Sequence, residues 1–264
     1  MAILILSLAF VALGGLLVWF MLTHDHGKTE PAGALWAVFG LGFAGGIAAS
    51  IIENLVLPKG AINAPQREAI VPLLLAMLAV GVIEETCKFV PTALLIYKKP
   101  YFNRVVDGVI FFAIAGLGFG IPENIGYTLL YGAGVGLTRL ILTPLLHACT
   151  TAIVGYYLAR SKVKHEPKTK TVMVLVTVMA LHGLYDFGLV SGNGFLVVMS
   201  LAITLTLAAM LFVLYHVANE TDVALGLTVP RPKSYCPRCG MPNASNRGYC
   251  VRCGTLLKLS LRNT

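Results

Sequence analysis

Seven apolar runs, each long enough to cross about 30 Å of hydrocarbon, lie near residues 2–22, 34–57, 69–97, 108–132, 138–160, 171–190 and 195–217. Lipid offers no partner to an open sheet edge, so all seven must be helices. The expected fold class is therefore all-α: a polytopic membrane protein of about seven transmembrane helices. Charge agrees with this, since only 12% of the residues are charged where a soluble domain carries about 25%. That shortage excludes disorder, a coiled coil and an ordinary cytosolic enzyme. No basic residue precedes the first run and no small-residue cleavage site closes it, which reads as a retained span rather than a signal peptide.

The basic loops set an orientation. The loops after spans one, three and five carry Lys28, then Lys98, Lys99 and Arg104, then Lys162, Lys164, Lys168 and Lys170, with Arg160 at the edge. The opposite loops hold Lys59 and Arg67, with Arg139 at a helix start. Nine against three puts the N-terminus outside the cell membrane and the C-terminal tail in the cytosol. That tail is basic: residues 218–264 carry seven Lys/Arg against two acids. An anionic bilayer surface explains this as well as nucleic acid does, and no specific nucleic acid is expected.

The chain divides into a helical bundle over 1–217, a linker over 218–232 and a small module over 233–258. Four of the six cysteines lie in the module, as Cys236-Pro-Arg-Cys239-Gly and Cys250-Val-Arg-Cys253-Gly. Two such pairs can bring four thiolates onto one tetrahedral zinc, and on a reducing side zinc is favoured over disulfides. A closed set of four thiolates leaves no open position, so this zinc is structural and the expected unit is a cytosolic zinc ribbon. It would hold a protein partner or regulate.

Ionisable groups inside spans are costly, and each marks a candidate site. Span three holds Glu84, Glu85 and Lys88, span four Glu123, span five His147, and span six His182 and Asp186. At about 1.5 Å per residue they all fall roughly 18–24 Å from the cytosolic edge. Four helices of alternating direction thus place these groups in one layer, in the outer half of the bilayer. His182 and Asp186 are i,i+4 neighbours, so the carboxylate can hold the imidazole or share its ligand. On a helical wheel Lys88 falls between Glu84 and Glu85 and can neutralise one of them. Glu53 is expected merely to reach the interface, Arg139 to anchor a helix end, and His24, Asp25 and His26 to have no role. Gly42-x-x-x-Gly46 and Gly116-x-x-x-Gly120 read as close-packing positions.

Glu84-Glu85-x-x-Lys88, Phe119-x-x-x-Glu123-Asn124, His147 and His182-x-x-x-Asp186, in order on four successive helices over about 69–190, resemble the PrsW family of intramembrane proteases. That family is related to the CAAX-prenyl protease and bacteriocin-immunity superfamily. The resemblance implies cleavage of membrane-anchored proteins, an anti-sigma factor among them, at their extracytoplasmic side. The chemistry requires an activated water, a stabilised oxyanion and a proton for the leaving amine. Glu84 or Glu85 would activate the water. His147 and His182 would polarise the carbonyl directly, or bind a catalytic metal with Glu123 and Asp186 as further candidate ligands. Analogy with the superfamily leans towards the metal-free form.

Two other functions fit an intramembrane polar layer. An ion- or proton-coupled transporter would show repeats and interrupted helices in corresponding positions, and none is visible. A non-catalytic scaffold acting through the zinc ribbon would tolerate neutralisation of Glu84 and Glu85.

Overall fold

The computed structural model describes residues 2–25, 27, 30–57 and 70–228, and within the tail 234–236, 238–239, 242–243, 249–250 and 252–256. His26, Lys28, Lys59 and Arg67 lie outside the described residues. Seven helices follow one another: α1 (Ala2–His24), α2 (Ala32–Val56), α3 (Ile70–Ile96), α4 (Val105–Tyr131), α5 (Ala133–Val163), α6 (Thr169–Val190) and α7 (Gly194–Ala224). Among the described residues six are long and apolar enough to cross a membrane, and α1 adds a further apolar helix of 23 residues.

The helix α4 is the axis of the bundle, and every residue from Val105 to Gly120 is buried. It packs on α1, α2, α5 and α7, while α3 and α6 pair with each other beside it. Its first turn would leave backbone donors bare in a buried setting. Asp107 accepts from the amides of Asn103 and Arg104 at 2.8 Å, and Asp222 of α7 accepts from those of Val105 and Val106 at 2.7 and 2.9 Å. Arg104 is fixed in turn by Asp25, Glu30 and Asp107. Asp25, to which the sequence assigned nothing, is thus a buried member of the clamp joining the α1–α2 loop to the start of α4.

Two glycine contacts bring the polar helices close. A Cβ at Gly116 would strike the His147 carbonyl carbon at 2.6 Å and Ala148 Cα at 3.0 Å, so only a glycine lets α4 and α5 approach there. At Gly183 a Cβ would meet Met77 O at 2.6 Å, and at Gly81 the Gly183 amide at 2.8 Å. The α3–α6 crossing is therefore backbone on backbone, next to His182 and one turn from Glu84. Gly42 and Gly46 abut the α4 backbone, as close-packing positions should.

The run boundary between spans four and five differs from the expected gap. Gly132, at φ +87°, breaks the chain within one residue, and α5 begins at Ala133. A left-handed residue costs glycine nothing, so no polar loop is needed. Arg139 consequently sits nearly two turns inside α5 and is buried.

In the tail, Ser234–Tyr235 (β1) and Pro242–Asn243 (β2) form an antiparallel hairpin around the first cysteine pair. Tyr249 and Leu256 bridge around the second, and Gly254 takes φ +68° just after Cys253.

Candidate active site

Helix α3 presents Glu84, Glu85 and Lys88 on one face, as their i,i+1,i+4 spacing requires. Lys88 Nζ lies 2.9 Å from Glu85 Oε1 and 3.4 Å from Glu84 Oε2, so the ammonium is committed mainly to Glu85. Glu85 and Lys88 are fully buried, and Lys88 also lies 4.4 Å above the Phe119 ring.

The histidines arrive from α5 and α6, with ring centroids 5.3 Å apart. Hydrogen bonding assigns their tautomers. Lys88 Nζ can only donate, so His147 Nδ1, at 2.8 Å, accepts, and His147 Nε2 donates to Glu123 Oε2 at 2.6 Å. Glu85 Oε1 can only accept, so His182 Nδ1, at 2.7 Å, carries the proton. The 3.5 Å approach of Lys88 Nζ to the same nitrogen is then a contact rather than a bond. His147 keeps a lone pair on Nδ1 and His182 one on Nε2. Both look at Glu84 Oε2, at 3.9 and 3.4 Å. That oxygen is buried and has no hydrogen-bond partner.

All seven residues expected from the sequence thus meet in one network. Asp186 Oδ2 lies 3.4 Å from His182 Nε2 without a hydrogen-bond partner. The holder of the His182 ring is therefore Glu85, from another helix, rather than Asp186. At 11% and 13% side-chain exposure, Glu123 and Asp186 are the most open acids of the cluster. They mark its mouth.

Arg139 belongs here too, not at a helix end. Its guanidinium pairs with Glu123, donates from Nε to Asn124 Oδ1 at 3.2 Å, and stacks 3.8 Å from the Tyr127 ring. The spacing 139–147, two helical turns, was the available signal. Glu53 does not end at the interface either. Its Oε1 is buried without a partner, within electrostatic range of Glu123, Asp186 and Lys88.

Glu84, His147 and His182 form a donor group whose ligand atoms all lie within 4.8 Å of one another. Each imidazole is turned by a carboxylate on its other nitrogen, the arrangement that holds histidine ligands in metal sites. With Glu84 Oε2 accepting no hydrogen bond, this group fits a divalent metal, and it stands beside the set expected from the sequence, the two histidines with Glu123 and Asp186. Lys88 and a metal ion would use the His147 Nδ1 lone pair only in turn.

The tail has a second donor group. Cys236, Cys239, Cys250 and Cys253 form no disulfide, and their sulfurs lie within 4.8 Å of one another. Cys236–Cys253 and Cys239–Cys250 are 3.6 Å apart, far beyond the roughly 2.05 Å of a disulfide. Four thiolates at about 2.3 Å from one zinc would stand about 3.8 Å apart. The cluster could hold a metal ion.

A family model described as PrsW family intramembrane metalloprotease matches residues 30–216. The chain is 31% identical over 183 residues to Protease PrsW of Halalkalibacterium halodurans, covering 69% of this chain and 81% of that protein. It is 26% identical to Protease PrsW of Geobacillus kaustophilus over 68% of this chain and 77% of that one, and 31% identical to Protease PrsW of Bacillus subtilis over 42% and 52%. No solved structure matches significantly. The matched span contains the whole four-helix polar cluster, and the chain belongs to the PrsW family of intramembrane metalloproteases.

Proposed function

We propose that the chain hydrolyses a peptide bond of a membrane-anchored substrate at the Glu84–His147–His182 cluster, in the outer half of the bilayer. The observation that carries this is the convergence of two carboxylate-oriented imidazole lone pairs on the unpartnered Glu84 Oε2. Glu84, His147 and His182 would hold the metal, which would polarise the carbonyl and acidify a bound water.

The chain's own residues do the rest. Glu123 and Glu85 fix the two rings, and Lys88 offsets the buried negative charge of Glu85. Asp186, at the mouth and with no hydrogen bond on Oδ2, takes a proton from the water as the water oxygen bonds to the carbonyl carbon. As the C–N bond breaks, Asp186 returns that proton to the departing amine. The products are one carboxyl and one amino terminus.

The orientation rests on the basic loops. With Arg139 buried in the site, nine basic residues face two on the opposite loops. This puts the tail in the cytosol, the mouth towards the outside and the scissile bond on the extracytoplasmic side. An anti-sigma factor-like single-span protein is the substrate class. The tail's metal is zinc, held by the four cysteines for structure, and the ribbon presents a surface to a protein partner.

The test is cleavage by the purified full chain in lipid vesicles, using a single-span substrate labelled at both ends. The proposal expects a cut in the substrate's outer half that a chelator abolishes. Intact substrate with the metal-loaded protein, or a cut on the tail's side, would contradict it.

A further inference from the structure

The helix faces that carry the histidines carry two more polar groups. On α5, Arg139, Thr143 and His147 are spaced by one turn each, and on α6 Tyr185 lies between His182 and Asp186. Because α5 and α6 run antiparallel, Thr143 and Tyr185 sit near one level, about 4.5–6 Å from the histidine layer towards the mouth. Both side chains are buried, each 1% exposed. Neither Tyr185 Oη nor Thr143 Oγ1 makes a hydrogen bond of good geometry among the described residues, and each has only the other hydroxyl as a close approach. The Thr143 hydroxyl faces the phenol, and Arg139, Asp186 and Glu123 are the charged groups around it. Ser200 of α7 donates to the Tyr185 carbonyl at 2.7 Å, which fixes the backbone behind the ring.

A buried hydroxyl without a partner destabilises a fold. Here two of them, from different helices, face each other about one helical turn from the two histidines, with Arg139, Asp186 and Glu123 around them. We propose that Tyr185 OH and Thr143 Oγ1 are a pair of hydrogen-bond donors to the carbonyl oxygen of the scissile peptide, stabilising the oxyanion. This rests on the hydrolytic reading of the Glu84–His147–His182 cluster. As the water oxygen bonds to the carbonyl carbon, the π pair moves onto the carbonyl oxygen, and both hydroxyls donate to it without giving up their protons. The pair returns when the C–N bond breaks. Donors fixed before the reaction, in a site sealed from water, favour the charged intermediate over the neutral carbonyl.

The competing role is polar glue between α5 and α6, and the two roles make opposite predictions for stability. In the vesicle assay Tyr185→Phe should lower kcat by about 10²–10³-fold, the cost of one such donor, with KM held and the thermal midpoint unchanged or raised. Thr143→Val should act in the same direction. A tetrahedral phosphonate peptide should lose affinity for Tyr185→Phe by the same factor as kcat, and uncleaved substrate should not. Wild-type kcat in both variants, or a loss of rate that tracks a lowered midpoint, would overturn the proposal. Glu84→Gln in the same assay separates the two readings: if it is inactive while Tyr185→Phe is normal, only the donor pair fails.

Discussion

Glu85 Oε1 accepts the Nδ1–H of His182 across 2.7 Å and the ammonium of Lys88 across 2.9 Å. The neighbouring Glu84 keeps an unpartnered oxygen turned to both histidines. Two adjacent glutamates on one helix therefore have unequal work. Glu84→Gln should abolish cleavage and metal binding at the site. Glu85→Gln loosens the His182 ring and takes from Lys88 its main counter-charge, and should cost about 10–100-fold, the usual effect of an orienting partner. Rates from the vesicle assay check this, and equal loss in both variants would remove the distinction.

Asp186 is the proton carrier in this scheme and not a ligand. Asp186→Asn should reduce kcat by about 10²–10⁴-fold while the metal content stays at the wild-type level. Parallel loss of metal and rate would instead make Asp186 a ligand.

Arg139 holds Glu123, and Glu123 holds His147. Removing the guanidinium strands a buried carboxylate, so Arg139→Met should destabilise the protein by about 3–5 kcal/mol as well as lowering the cleavage rate. Arg139→Lys should recover little, because an ammonium cannot reproduce the planar contacts to Glu123, Asn124 and the Tyr127 ring. Thermal unfolding in vesicles measures both.

Seven groups of the site are legible in the sequence for one reason: an ionisable residue in an apolar run stands out, as Glu84, Glu85, Lys88, Glu123, His147, His182 and Asp186 do. Their common depth followed from helical rise alone. Partner choice was not legible, because spacing relates residues only within a helix. It pairs His182 with Asp186, whereas the backbone-close crossing at Gly81 and Gly183 delivers Glu85 from α3. Arg139 was hidden by its nearness to a run boundary that Gly132 compresses to one residue. Tyr185 and Thr143 were hidden because hydroxyls are common in spans. Asp25 reads as an ordinary loop acid by its place in the sequence, because the Arg104 that gathers it with Glu30 and Asp107 lies far along the chain.

The same clamp gives the fold a pH dependence outside the spans. Burial raises the Glu30 carboxyl from 4.5 to about 7, against the pull of Arg104, while Asp25 and Asp107 push the same way as burial. The folded chain holds this proton more tightly than the unfolded one. The resulting stability is complete below about pH 4.5 and is lost as pH rises through about 7. The thermal midpoint should therefore fall between about pH 5 and pH 8, and Glu30→Gln should flatten that slope. A wild-type midpoint that rises across this window would contradict the assignment.

Metal content compared across variants tests most directly whether Glu84, His147 and His182 hold a metal. Wild-type protein should bind about two metal ions per chain, one at the histidines and one at the four cysteines. His182→Ala should retain about one and lose cleavage, while Cys239→Ser should also retain about one and keep its active-site metal. A His182→Ala protein that folds, inserts and still carries the wild-type metal content would contradict the metal site.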